Sequence, residues 1–183
     1  MKYVVGENVF DKFKEKRESL IIMLKNGDIS KTEYIEESYF YICDHGVKPF
    51  KNVDNFNKAV FNYQYYNMMA KYSKLKAKEI EYYGKHEKLG RDQRERINKY
   101  YHEKNRTTLK AIELLDYQGV EAYFIKVRSQ NLKDKLFEIV FRDYPSVVFH
   151  SNGEWLRKRL EEEGIFHHIR KKSIIESYVN ERY

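Results

Sequence analysis

Residues 54–83 read DNFNKAVFNYQYYNMMAKYSKLKAKEIEYY. Phe56, Val60, Phe61, Tyr65, Met68, Met69, Tyr72, Leu75 and Ile80 recur mostly at steps of three and four. That period predicts one long amphipathic helix with this stripe turned inward. Asp54 stands at its head as a candidate N-cap. Gly84 through Gly90 reads as a turn, and a second long helix is expected from about Arg91 to Tyr117. Ile97, Tyr100, Tyr101, Leu109, Ile112, Leu114 and Leu115 supply its apolar contacts. The two rods are expected to pack antiparallel as a helical hairpin over 54–117.

Upstream, Val9, Phe10, Phe13, Leu20, Ile21 and Leu24 form a similar stripe, and Asn26-Gly27-Asp28 ends it. Ser30 precedes Glu33 at capping-box spacing, so a second short helix starts there, with Tyr34, Ile35, Tyr39 and Ile42 inward. His45-Gly46 ends it, and Lys48-Pro49-Phe50 breaks the helical pattern.

Downstream of Gly119 the period changes. EAYFIKVR (121–128) and LFEIVFR (136–142) alternate, and Asp143-Tyr144-Pro145-Ser146 turns the chain into VVFH (147–150). Alternation with aromatic and β-branched residues predicts a three-stranded antiparallel meander. Its one naked face needs a cover, from the long hairpin or from later helices. Those helices are expected over 153–163, carrying Trp155, Leu156 and Leu160, and from Ser173, carrying Ile174, Ile175, Tyr178 and Val179. The expected fold is α+β: a mainly helical N-terminal two-thirds with the long hairpin, then the meander and two C-terminal helices. One domain over 1–183 is expected, with regions 1–47, 54–117 and 119–183.

Composition narrows the classes. With 42% apolar and 34% charged residues, a real core sits beneath a heavily solvated surface, which excludes collagen-like and wholly disordered chains. The single cysteine, Cys43, excludes a disulfide framework and a zinc ribbon and suits a reducing cytoplasm. No apolar run approaches the ~20 residues that span a bilayer, and no signal-peptide core is evident at the N-terminus. The net charge of +7 is concentrated: residues 71–106 hold twelve basic and six acidic side chains. Such an excess at a hairpin tip attracts acidic partners, although long exposed helices also need charged faces.

Enzymatic signatures are missing: no Gly-rich phosphate loop, HExxH helix, nucleophile elbow or dinucleotide fingerprint occurs. Glu161, Glu162 and Glu163 read as a solvent face. His167 and His168 are adjacent and diverge on either a helix or a strand. His86 and His102 flank the expected turn and could converge with Glu87 or Glu103 on a metal, but surface histidines near a loop are far commoner. Cys43 ends an apolar helix and reads as a buried structural thiol rather than a nucleophile. Neither a cofactor nor a metal is expected.

Tyrosine is the distinctive residue, at seventeen of 183. Tyr63, Tyr65, Tyr66, Tyr72, Tyr82, Tyr83, Tyr100 and Tyr101 interleave with Lys71, Lys74, Lys76, Lys78, Arg94, Arg96 and Lys99. Such rings can stack unpaired bases, grip a protein surface, or simply bridge two widely spaced helices. On the sheet, Lys126, Arg128, Glu138 and Arg142 are explained by cross-strand pairing unless that face is uncovered.

The stretch LIIMLKNGDISKTEY (20–34) resembles the helix-turn-helix of the SHOCT class of short bacterial domains, which implies oligomerisation or partner binding. KPFKNVDNFNKAVFNYQYYN, YHEKNRTTLKAIELL, VEAYFIKVRSQNLKDKLFEIVFRDYP and SIIESYVNERY resemble an uncharacterised family of small bacterial proteins. That likeness covers most of the chain and implies a cytoplasmic bacterial protein, with no established activity, cofactor or catalytic residue.

The expected function is a non-catalytic binding or adaptor protein that meets a protein partner, a second copy included, through the basic tyrosine-rich hairpin. The candidate binding residues are Tyr82, Tyr83, Lys85, Lys88, Arg91, Arg94, Arg96, Lys99, Tyr100 and Arg106. The alternative is nucleic-acid binding at the same surface with little base specificity. A membrane role is not expected.

Overall fold

The computed structural model describes residues 7–82, 87–117, 122–127, 136–141, 144–152, 158, 162 and 169–170. The described chain is mostly helical. Four helices come first: α1 (Glu7–Asn26), α2 (Lys31–Asp44), α3 (Phe56–Tyr82) and α4 (Glu87–Tyr117). Strands β1 (Ala122–Val127), β2 (Leu136–Phe141), β3 (Tyr144–Asn152) and β4 (Ile169–Arg170) follow. The expected helix from Ser173 lies outside the described residues. So does most of the one over 153–163, where Lys158 and Glu162 are helical, exposed and paired at 3.9 Å.

Local chemistry sets the helix ends. Gly27 adopts φ +81°, a left-handed conformation that lets the backbone leave α1. Ser30 Oγ accepts from the Glu33 N–H at 3.2 Å, while the Ser30 N–H donates to Glu33 Oε2 at 2.7 Å, closing a reciprocal capping box on α2. α3 is capped by Asn55 rather than Asp54. Asn55 Oδ1 accepts from the Lys58 N–H at 3.0 Å, and Asp54 instead takes the Lys58 ammonium at 2.8 Å. α4 begins at Glu87, four residues before the expected start, and carries Gly90 inside its first turns. One internal glycine weakens a helix by about 1 kcal/mol, which 31 residues of tertiary support readily offset.

Two compact units emerge from the packing, and they cut across the expected regions because α3 and α4 each contribute to both. Unit 1 comprises residues 1–51 and 64–104; unit 2 comprises 52–63 and 105–183.

Within unit 1, α1 and α2 pack together, burying Phe13 and Leu20 against an α2 side of Tyr34, Ile35, Ser38 and Ile42. Buried Ser38 satisfies its hydroxyl locally by donating to the Tyr34 carbonyl at 2.7 Å. The buried positions of α3 here are Met68, Ala70, Ser73 and Ala77, whereas Tyr65, Met69, Tyr72, Leu75 and Ile80 are only half-buried. The expected stripe is therefore corrected: small side chains occupy the tightest face, since interaxial distance is set by the residues at the contact.

Within unit 2, the first turns of α3 and the last turns of α4 contribute to one buried cluster. Phe56, Ala59 and Tyr63 cluster with Leu109, Ile112 and Leu115, and with Ile139 of β2 and Phe149 of β3. The sheet is thus covered by helix ends on one face. Its order is β3-β2-β1-β4, with β1/β2 and β2/β3 antiparallel and β1/β4 parallel. β3 begins at Tyr144, so Pro145, read as a turn residue, lies near the start of an edge strand, where a missing N–H is tolerated. Tyr63 Oη accepts from the His150 N–H at 2.7 Å, tying α3 to β3.

Candidate functional site

Five of the candidate cations lie along α4. Arg91, Arg94, Arg96, Lys99 and Arg106 are all exposed. At about 100° per residue, Arg91, Lys99 and Arg106 share one stripe, with Arg94 and Arg96 to either side. Acidic groups share this surface, since Asp92 and Glu95 are exposed as well. Of the other candidates, Tyr82 is the last residue of α3, Lys88 lies in the first turn of α4, and Tyr100 is half-buried. Tyr83 and Lys85 lie outside the described residues, as does His86 of the candidate metal pair. Among the described residues, no group of three or more histidine, cysteine, aspartate or glutamate side chains is placed to hold a metal.

Among the described residues, the tyrosines do not form an open stacking platform alongside these cations. Tyr63 is buried, and Tyr65, Tyr66, Tyr72, Tyr100 and Tyr101 are half-buried. Tyr39 and Tyr72 stack face to face at 3.5 Å with 5° between planes, and Lys76 Nζ stands 5.4 Å from the Tyr72 ring. Lys76 is neutralised by Glu36 at 3.2 Å and Glu79 at 2.9 Å, so it adds little to the basic surface. Burial pushes the Tyr65 hydroxyl up to about 12, with Tyr100 and Tyr66 adding to it. Tyr39 reaches about 12 chiefly through its hydrogen bond to Cys43. Cys43 itself is exposed, which corrects the reading of a buried thiol: it falls on the outer side of α2.

Sequence reasoning missed two lysines. Lys104 was counted with the exposed excess, yet it is only 6% exposed, and its ammonium lies 5.0 Å from the Tyr101 ring centre. Burial and the charge of Lys71 lower its pKa to about 8. Lys71 is half-buried and is also held below the ordinary lysine range, by burial and then by Lys31 and Arg17. The signal was present: Ile97, Tyr101, Lys104 and Thr108 fall on one side of α4 at steps of three and four. Nearby in unit 1, a cavity of about 10 Å³ is lined by Phe13, Lys16, Arg17, Leu20, Gln64 and Met68, with Ser38 and Tyr41 closing it.

Taken together these features define a mostly helical chain with a charged outer face on α4 and a buried lysine on its inner side. Among the described residues, no helix is long and apolar enough to cross a membrane. The chain belongs to the Family of unknown function (DUF6648), which matches residues 3–183. No match was found among curated proteins or among solved structures.

Proposed function

We propose that this protein is a non-catalytic binding or adaptor protein whose exposed α4 face contacts a protein partner, a second copy of itself included. The observation that carries this reading is the mixed sign of that face. Arg91, Arg94, Arg96, Lys99 and Arg106 are exposed together with Asp92 and Glu95. Interleaved carboxylates repel a polyphosphate backbone but suit a protein surface carrying both signs, where complementarity sets register. The inward tyrosines support the same choice, because base stacking needs open rings. A cytoplasmic location belongs to this proposal, since an exposed free thiol persists best in a reducing compartment. So does a partner-binding role for the SHOCT-like pair α1 and α2.

The runner-up, nucleic-acid binding at the same face, draws support from five exposed cations within 91–106. The test is capture of partners from native lysate with and without nuclease, using wild type and an R91A/R96A/K99A variant. The proposal expects partners that survive nuclease and disappear with the variant. Loss on nuclease treatment, with retention on a polyanion column falling steeply and log-linearly with salt, would establish the runner-up instead. Partners retained equally by the variant would overturn both.

A further inference from the structure

α2 turns an acidic, aromatic stripe outward. The helix carries Glu33, Glu36, Glu37 and Asp44 against a single cation, Lys31. At about 100° per residue the four acids fall within about 60° of Phe40, while Lys31 and the buried Tyr34, Ile35, Ser38 and Ile42 lie further round. Phe40 is 47% exposed, yet its ring is held in place, edge-on to Tyr72 at 6.2 Å and to Tyr39 at 5.8 Å. An exposed ring that is already immobilised and rimmed by charge makes an interface anchor, because covering it costs little further side-chain entropy. Two lysines border the stripe: Lys16 reaches Glu37 at 3.8 Å, and Lys76 lies between Glu36 and Glu79. Glu33 and Asp44 remain exposed beyond those pairs.

The complement is carried by the same unit. On α4, Arg91, Arg94, Arg96 and Lys99 are exposed against Asp92 and Glu95, so that face is basic where the α2 stripe is acidic. Both stripes are exposed, so within one copy neither covers the other. Their lengths are comparable: at 1.5 Å per residue, Glu33 to Asp44 spans about 16 Å and Arg91 to Lys99 about 12 Å. An arginine can stack its guanidinium on the Phe40 ring while pairing with the carboxylates around it. Asp92 and Glu95 in turn offer counter-charge to the bordering Lys16 and Lys76.

We infer that the partner met by the exposed α4 face is a second copy of this chain, whose α2 stripe, centred on Phe40, receives Arg91, Arg96 and Lys99. This rests on the reading of α4 as a protein-contacting face and names its partner. A two-fold axis makes the contact twice, because each copy offers both stripes: α2 of one meets α4 of the other, and the reverse. The dimer therefore closes and leaves neither patch to propagate a chain of copies. Its attraction is electrostatic at range and aromatic at contact, so salt weakens it and so does loss of the ring.

The test is analytical sedimentation of the full chain over a range of concentrations. Wild type should form a dimer whose Kd rises as salt goes from about 0.05 to 0.5 M. Phe40→Ala should raise that Kd about tenfold. Reversing one side, in E37K/D44K or in R91E/R96E/K99E, should raise it at least as much. An equimolar mixture of those two variants should associate again, because both contacts then pair opposite signs, and that rescue also shows each variant to be folded. Wild type monomeric at every concentration, or a mixture that stays monomeric while both variants keep the wild-type circular dichroism, would overturn the inference. A dimer broken by the α4 reversal but untouched by E37K/D44K would overturn the α2 seat and leave the α4 face standing. Should a variant not fold, the wild type decides, and a Kd unmoved by salt overturns the inference. A monomer that still captures nuclease-resistant partners through α4 overturns the second copy alone and makes another protein the occupant.

Discussion

Lys104 shares the inward side of α4 with Ile97, Tyr101 and Thr108, and it keeps an ammonium where an apolar group would be expected. Its pKa near 8 when folded, against 10.5 when unfolded, fixes the sign of a pH effect. Between those values the unfolded chain binds the extra proton, so this group makes stability increase as pH rises from about 8 toward 10.5. Tyr39 and Tyr65 work in the opposite sense. Both stay protonated to about 12 when folded against 10.0 unfolded, so their contribution is whole below pH 10 and is lost as pH climbs toward 12. Urea unfolding across pH 7 to 11 in phosphate-free buffer should therefore show a maximum near pH 10. Lys104→Met should remove most of the rising limb, leaving the part that Lys71 supplies, and raise stability at pH 7 by on the order of 3 kcal/mol. A steady decline from pH 7 upward in wild type would mean that Lys104 is solvated.

Helices in this chain are started by side chains that reach back to the backbone, and the energy of each start can be isolated. The Ser30–Glu33 box satisfies two N–H groups at the head of α2. Ser30→Ala should lower the unfolding free energy by about 1 kcal/mol, and Ser30→Gly by only a few tenths, read by urea denaturation. Equal losses for the two variants would show that the hydroxyl contributes nothing. A hydrogen bond from one phenol adds to the apolar contacts between α3 and β3. Tyr63→Phe removes the acceptor that His150 N–H uses at 2.7 Å, beside a Phe149 ring 4.4 Å away. A loss of about 1–2 kcal/mol is expected, with faster amide exchange at His150 than elsewhere in β3. Unchanged exchange there would show that water replaces the bond freely.

At the scale of the whole molecule, the two packing units share continuous helices. α3 passes from unit 2 to unit 1 between residues 63 and 64, and α4 returns between 104 and 105. A helix in mid-run has no frayed end at either crossing, and separating the units would require breaking its backbone ladder. Equilibrium unfolding should accordingly be one transition. Leu20→Ala in unit 1 and Phe149→Ala in unit 2, at 2% and 0% exposure, should each shift it by about 2–5 kcal/mol. Two separated transitions, each moved by only one of the substitutions, would refute the coupling.

The amino-acid sequence by itself determined where α1 to α4 run and how α2 is capped. These features depend on residues within four positions of one another, whose periodicity and capping groups are visible along the chain. The same locality explains the small misses: Asp54 and Asn55 are both competent caps, and Gly90 reads as a turn until its neighbours hold it in α4. Burial was another matter. Tyr65 and Tyr72, expected inward, stayed half-buried, Cys43 was left outside, and Lys71 and Lys104 came under the influence of like charges from other helices. β4 joined β1 in parallel across more than forty residues of chain. Only the tertiary structure decided these, because desolvation and charge at a side chain are set by groups distant in sequence, and no local period records which of them arrives.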